Sequence, residues 1–174
     1  MRALRTFRGS YALRIIHYSV QINHVHLLVE AADAEALARG MQALTIRLAN
    51  AFNRCFDHNG TVFASRYHAR ELTSPMEVRN ALRYVLNNAR HHAADAGITL
   101  PKDWIDPRST AAIFDGWRDP PISPKRFSDF GTSTADTWLL RTGWRRHGLL
   151  ELDEIPGNRR SSAKPCSSSA RAAT

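Results

Sequence analysis

Residues 12–30 read Ala12-Leu-Arg-Ile-Ile-His-Tyr-Ser-Val-Gln-Ile-Asn-His-Val-His-Leu-Leu-Val-Glu30, and this stretch decides the fold. Its two parts, residues 12–21 and 24–30, are rich in β-branched, aliphatic and aromatic side chains, which favour strands. Ile22 and Asn23 between them can form a tight turn. The stretch therefore predicts two strands that follow each other directly along the chain.

The second strand carries two histidines on one face. Successive residues of a strand point to opposite faces, so His24, His26 and Leu28 share one side. Two imidazoles at i and i+2 project side by side and can serve as two metal ligands. The same pattern also occurs in surface or core histidines, so by itself it leaves a structural role open.

A long helix is predicted after the strands. Asp33 can cap it, and the pattern continues to about Phe56. Apolar residues recur at helical spacing along one face. These are Leu37, Met41, Leu44, Leu48, Phe52 and Cys55. Arg39, Arg47 and Arg54 form a second stripe, which suits contacts to phosphates and equally suits a solvated face.

The segment after this helix contains further boundary signals. Asn59-Gly60 indicates a turn, and residues 62–72 have the composition of a strand. Ser74-Pro75-Met76-Glu77 is a capping box with proline at the first helical position. A second helix is predicted from there to Gly97, which suits a helix end. Its predicted core face consists of Val78, Leu82, Val85 and Ala89.

A tyrosine and an amide share a different face of that second helix. Tyr84 and Asn88 are four residues apart, so they stack one turn from each other. Two imidazoles and one amide oxygen would leave open positions on a divalent cation, and Mg²⁺ or Mn²⁺ suits such a site. The cation could polarise a phosphate, and a nearby tyrosine oxygen could attack the phosphorus and form a phosphotyrosine.

Composition narrows the class of protein. The chain has 174 residues, with 24 Lys+Arg against 16 Asp+Glu, a net charge of +8. This charge favours polyanion partners such as nucleic acid. The two cysteines, Cys55 and Cys166, predict no disulfide framework and no cysteine-based zinc site. We find no apolar run long enough to span a bilayer and no secretory signal, so a cytoplasmic protein is expected.

Three segments together resemble a known family. Asn23-His-Val-His-Leu-Leu-Val-Glu30 resembles the histidine–hydrophobic–histidine (HUH) motif of single-tyrosine transposases. Phe63-Ala-Ser-Arg-Tyr-His-Ala-Arg70 and Val78-Arg-Asn-Ala-Leu-Arg-Tyr-Val-Leu-Asn-Asn-Ala-Arg90 are similar to the segment that leads into the tyrosine helix of that family. Within the family, the chain is similar to the REP-associated tyrosine transposases. The resemblance covers about residues 11–156, through Asp115-Gly-Trp117 and Thr137-Trp-Leu-Leu-Arg-Thr-Gly-Trp144.

The resemblance implies a fold, a reaction and a site. The fold would be α+β, with a central antiparallel sheet and helices packed on one face in the ferredoxin-like style. The activity would be cleavage and rejoining of single-stranded DNA at hairpin-associated sites, with a 5′-phosphotyrosine and a free 3′-hydroxyl. It makes Tyr84 the nucleophile, and His24, His26 and Asn88 the ligands of the divalent metal. Arginine side chains are the candidate DNA contacts: Arg39, Arg47, Arg54, Arg66 and Arg70.

The expected organisation has three parts. Residues 1–97 would form the HUH catalytic core, residues 98–156 an extension packed on it, and residues 157–174 a disordered basic tail. Members of the family have a further strand and a helical segment before residue 12. The fold is therefore expected to lack a strand at its N-terminus, with the true start upstream of Met1 or the chain a truncated copy. Asn88-Ala89 stands where the branch usually has Asn-Pro.

Other functions stay open at this point. A replication initiator or relaxase would use the same chemistry, and a catalytically inactive remnant could bind DNA hairpins. A basic α+β domain with a structural His-x-His pair is the least specific alternative. The partner expected from the resemblance is single-stranded or hairpin DNA and no membrane, in a bacterial cytoplasm and at the nucleoid when bound. Monomer and homodimer are both compatible with it.

Overall fold

The computed structural model describes residues 13–121 and 131–157. An antiparallel hairpin is formed by β1 (Leu13–Val20) and β2 (Val25–Ala31). The α-helices within these ranges are α1 (Ala34–Phe56), α2 (Pro75–Leu86), α3 (Asn88–Asp95) and α4 (Trp138–Arg141). Two 3₁₀ turns cover Thr110–Ile113 and Gly143–His147. None of the helices in the described ranges is long and apolar enough to cross a lipid bilayer.

The hairpin agrees with the sequence prediction. Both strands lie within one or two residues of their predicted bounds, and Val20 pairs with Val25 across the turn. The register shifts between Ile15 and His17, so one residue of β1 bulges out of the ladder. The predicted α+β class with an antiparallel sheet is confirmed.

The placement of the helices differs from the expectation of a single helical face. Leu28 of β2 packs with Val78 and Leu82 of α2. Its neighbours Leu27 and Val29 pack in a second cluster that includes α1. Helices α1 and α2 therefore lie on opposite faces of the hairpin. The physical reason is that β2 is apolar on both sides, so both sides need a covering helix.

Both predicted N-caps are confirmed. The Asp33 carboxylate accepts a hydrogen bond from the Ala36 amide at 2.7 Å. At α2, Ser74 and Glu77 form the reciprocal capping box. The backbone amide and side chain of Thr73 and the guanidinium of Arg70 also donate to the Glu77 carboxylate, and together these contacts lower its pKa to about 2.

The predicted strand over residues 62–72 is wrong. The structure gives this segment no regular secondary structure, and most of its side chains are exposed. The outer edge of β1 already bonds to other segments: Val20 N donates to Arg108 O, and Ser133 N donates to Ile15 O. With little burial and no ladder there to join, β-prone composition alone does not make a strand.

The predicted second helix divides into two. Helix α2 ends at Leu86 and α3 begins at Asn88, because Asn87 leaves the helical region with φ −106° and ψ 16°. The Asn87 amide is buried and donates to the carbonyls of Glu151 and Glu154. The helix break is therefore accompanied by hydrogen bonds to residues more than 60 positions away. The sequence around Asn87 gives no indication of them.

The predicted apolar stripe of α1 is buried only along its first half. Met41 and Leu44 are in the core, whereas Phe52 and Cys55 are exposed. Helix α1 has 23 residues and β1 has 8, so the helix is about 34 Å long and the strand about 26 Å. The last turns of α1 therefore extend beyond the sheet that covers the first ones.

The C-terminal part shares the core with α2. Phe114, Trp117, Trp144 and Leu150 are buried in the same cluster as the α2 face. Residues 136–150 contain α4 and the second 3₁₀ turn. The predicted disordered tail lies outside the described residues except for Gly157, and so do the residues before Leu13.

A buried carboxylate ties this C-terminal part to β2. Glu30 accepts hydrogen bonds from the backbone amides of Asp136 and Thr137 and from the Thr137 hydroxyl, at 2.7–3.1 Å. Replacing Glu30 with alanine removes a charged acceptor from three donors. We expect the free energy of unfolding to fall by about 2–3 kcal/mol, measured by urea denaturation.

Glu35 is the matched control for that substitution. Its side chain is 74% exposed, against 8% for Glu30, and its one ion pair among the described residues is the i,i+4 pair with Arg39. Replacing Glu35 with alanine is expected to change stability by about 0.5 kcal/mol or less. Equal losses of stability for the two alanine variants would contradict the stabilising role of the buried Glu30 carboxylate.

Candidate active site

The two imidazoles at the start of β2 lie beside each other: His24 directly precedes the strand and His26 is its second residue. The ring centroids of His24 and His26 are 4.6 Å apart, with the ring planes inclined at 71°. Leu28, two residues further along the same face, is buried against α2. The strand alternation that buries Leu28 therefore directs both imidazoles to the α2 side of the hairpin.

His24 is oriented by its neighbour in the turn. Its Nδ1 lies 2.7 Å from Asn23 Oδ1. Because an amide oxygen only accepts hydrogen bonds, this contact puts the proton on Nδ1 and leaves the lone pair on Nε2. Metal-binding histidines are commonly oriented in this way, by a hydrogen bond through the nitrogen that does not bind the metal.

His26 has a buried nitrogen without a partner. Its Nε2 is inaccessible to water and accepts or donates no hydrogen bond among the described residues. Burial, followed by the nearby His24 and His92 charges, lowers the pKa of the His26 imidazole to about 4. The ring is therefore neutral at pH 7, which is the form that can offer a lone pair to a cation.

Tyr84 lies directly against this pair. Its ring centroid is 4.9 Å from that of His26, with the planes inclined at 73°. The side chain is 40% exposed, so a large substrate can reach it. Helix α2 is held at its start by the capping box and on its apolar face by Val78 and Leu82, and this arrangement directs Tyr84 to the imidazoles.

Asn88 is the most unusual polar group near α2. The residue is fully buried, and neither Oδ1 nor Nδ2 has a hydrogen-bond partner among the described residues. Buried amides are almost always paired, because an unpaired one costs free energy, so such an exception calls for a missing partner. A cation bound by the amide oxygen would be such a partner.

A third imidazole, from His92, was missed by the sequence analysis. Its ring centroid is 5.6 Å from that of His24. The signal was present, since Tyr84, Asn88 and His92 follow one another at intervals of four residues. In the described residues, no group of three or more His, Cys, Asp or Glu side chains is arranged to hold a metal ion. The cation site of His24, His26 and Asn88 stays a prediction.

The predicted DNA-contacting arginines differ in their ion pairing and in their exposure. Arg39 pairs with Glu35 at 3.0 Å, and Arg70 pairs with Glu77 at 2.6 Å. Arg54 and Arg66 are exposed. Arg47 is partly buried on α1, and its side chain or backbone interacts with another group of the protein.

Comparison with known proteins gives one match. A family model described as "Transposase IS200 like" matches residues 2–88, half of the chain. The matched range contains His24 and His26 and ends at Asn88. Searches of curated proteins and of solved structures each give no match.

Proposed function

The chain belongs to the IS200-like transposase family, and on this basis we propose that it cleaves and rejoins single-stranded DNA through Tyr84. The proposed sites are hairpin-associated, and the proposed intermediate is a 5′-phosphotyrosine. The DNA-processing class follows from the family. The assignment to one tyrosine is our own inference.

The contact between Tyr84 and His26 carries this proposal. It joins an exposed phenol to the His26 imidazole at a centroid distance of 4.9 Å, and the His24 ring lies 4.6 Å from that of His26. A tyrosine hydroxyl has a reference pKa of about 10 and is a weak nucleophile at neutral pH. It needs a site that stabilises charge at the phosphate, and His24 and His26 supply the ligands for one.

The reaction we propose conserves bond energy. The Tyr84 Oη attacks the phosphorus in line with the bond to the 3′ oxygen and loses its proton. The new Oη–P bond forms as the P–O3′ bond breaks, and the 3′ oxygen takes up a proton to become a free hydroxyl. Attack by a 3′-hydroxyl on the phosphotyrosine reverses these steps and releases Tyr84, so rejoining needs no ATP.

His24, His26 and Asn88 would hold a divalent cation, Mg²⁺ or Mn²⁺. When bound, such an ion supplies Lewis-acid polarisation of the scissile phosphate. The His26 imidazole, neutral at pH 7, and an unpaired buried amide fit this donor set. His24 is held in the correct tautomer by Asn23.

Metal removal and histidine substitution test the proposal. His24→Ala and His26→Ala should each lower cleavage of a labelled single-stranded hairpin oligonucleotide by about 100-fold or more, since each removes a ligand. Binding of the same oligonucleotide should change little. EDTA should abolish cleavage by the unsubstituted chain, and Mn²⁺ should restore it.

His91→Ala is the matched control. His91 lies next to His92 but forms an i,i+4 pair with Asp95 at 3.5 Å. Its replacement is expected to leave cleavage within about 2-fold. Undiminished cleavage in EDTA, or equal losses in His91→Ala and His26→Ala, would overturn the metal-dependent reaction.

A further inference from the structure

The last turns of α1 expose a pair of aromatic rings. Phe52 and Phe56 are 43% and 66% exposed, and their ring centroids are 4.6 Å apart. Exposed apolar area of this kind costs free energy in water, and contiguous patches of it usually mark a binding surface. We name this pair the α1 aromatic platform.

The platform is held in place by the turn that follows it. Asp57 ends α1 in the left-handed region with φ 48°. Asn53 Nδ2 donates to the Gly60 carbonyl at 3.1 Å, and its Oδ1 lies 2.8 Å from His58 Nδ1. The His58 ring packs edge-on to Phe52 at 6.1 Å. A surface ordered in advance loses little entropy when a ligand binds.

The segment that contains and follows the platform is positively charged. Residues 51–70 contain three arginines and one acidic residue, Asp57. Arg70 is paired with Glu77, whereas no ion pair to Arg54 or Arg66 is found among the described residues. Arg54 is two residues from each phenylalanine, so its side chain leaves the last turns of α1 on a different face from the two rings. Phe63 and Tyr67 add further exposed rings to this arginine-containing segment.

We propose that the α1 aromatic platform stacks unpaired bases of single-stranded DNA, with Arg54 and Arg66 contacting the adjacent phosphates. Free base faces stack on exposed rings, and phosphates pair with arginines, so single-stranded DNA fits both properties of the surface. In a duplex the base faces are stacked on each other and cannot reach the rings. An apolar protein partner would offer no negative charge to the arginines. This inference rests on the proposed function, since that function supplies the single strand.

The platform is separate from the site at Tyr84. Helix α1 covers one face of the hairpin, and the imidazoles face α2 on the other. Single-stranded DNA bound to the platform would therefore be the part of the substrate that flanks the scissile phosphate. Its role would be to hold the flanking single strand.

Base-dependent binding is the test. Affinity is measured for an oligothymidylate and for an abasic phosphodiester chain of the same length, using the Tyr84→Phe protein so that no cleavage occurs. The added double substitution Phe52→Leu/Phe56→Leu should weaken oligothymidylate binding by about 10-fold or more and leave abasic binding within about 2-fold. Circular dichroism should show an unchanged fold, because both rings are exposed.

Two further variants separate stacking from charge and from apolar area. Ile46→Ala removes an exposed aliphatic group from the same helix and should leave both affinities unchanged. Arg54→Gln should weaken binding of both oligonucleotides and lower the salt slope of log K by about 0.7. Loss of both affinities in Ile46→Ala would overturn the stacking role.

The outcomes distinguish the platform from the proposed function. If the unsubstituted chain forms a covalent DNA adduct while the double leucine variant binds thymidylate normally, the platform is overturned and the transposase stands. Base-dependent binding that is lost in the double variant, without any adduct in the unsubstituted chain, supports the platform alone. A dimer that the double substitution dissociates, with DNA affinity unchanged, would show that a second copy covers the rings and would overturn the proposal.

Discussion

Tyr84→Phe is expected to form no covalent protein–DNA adduct while it folds and binds DNA normally. The substitution removes only the hydroxyl, and the ring that contacts His26 remains. Because the side chain is 40% exposed, no buried cavity is created. The adduct is measured by denaturing gel electrophoresis, with single-stranded hairpin DNA labelled on the strand that carries the new 5′ phosphate.

Tyr67→Phe is the control for that experiment. Tyr67 is 42% exposed, close to the value for Tyr84, and also lies in the segment that resembles the family. Its variant should form the adduct at the level of the unsubstituted chain. An adduct that persists in Tyr84→Phe and vanishes in Tyr67→Phe would move the nucleophile. No adduct in the unsubstituted chain would leave only DNA binding.

Asn88→Leu is expected to stabilise the metal-free protein and to remove its stabilisation by metal. The Asn88 amide is fully buried and unpaired, so an apolar side chain of similar size removes a desolvation cost. We expect the free energy of unfolding in EDTA to rise by about 1–2 kcal/mol. Saturating Mn²⁺, at about 100 times its dissociation constant, should stabilise the unsubstituted chain by about 2.7 kcal/mol and the variant by far less.

The neighbouring asparagine provides the control. Asn87 is also buried, but its Nδ2 donates to the carbonyls of Glu151 and Glu154 at 3.2 and 3.0 Å. Asn87→Leu leaves two carbonyls without their donor and should lower the free energy of unfolding by about 2–3 kcal/mol in EDTA. Urea denaturation with and without Mn²⁺ measures both variants. If Asn88→Leu is destabilised as much as Asn87→Leu without metal, the amide has a structural role.

The unpaired amide of Asn88 shows how the needs of a functional site and of a stable core can conflict at one position. A residue that contributes only to folding would be paired, as Asn87 is, or apolar, as Leu86 is. Asn88 is neither of these in the described residues. This cost agrees with our proposal that the Asn88 amide binds a cation.

The parts of the fold that follow local rules were predictable. The strands of the hairpin follow from their composition, and the caps at Asp33 and Ser74 follow from hydrogen bonds that span three residues. The histidine pair and Tyr84 were found by spacing and by resemblance. The contact between them agrees with the strand and helix periods that the sequence contains.

Two errors have a common cause. The segment 62–72 has strand-like composition but finds no ladder, and the exposed end of α1 has a core-like stripe but no sheet beneath it. Both patterns report what a segment could bury. Neither reports whether another part of the chain is there to cover it.

By itself, the sequence determined the hairpin, the helix starts, the basic character and the pair of imidazoles on one strand face. These depend on composition or on residues that lie close together in the sequence. Only the tertiary structure decided the opposite placement of α1 and α2, the break at Asn87, the burial of Asn88 and the approach of His92 to His24. Each of these depends on groups far apart in the chain, and their proximity is set by packing on the sheet rather than by local preference.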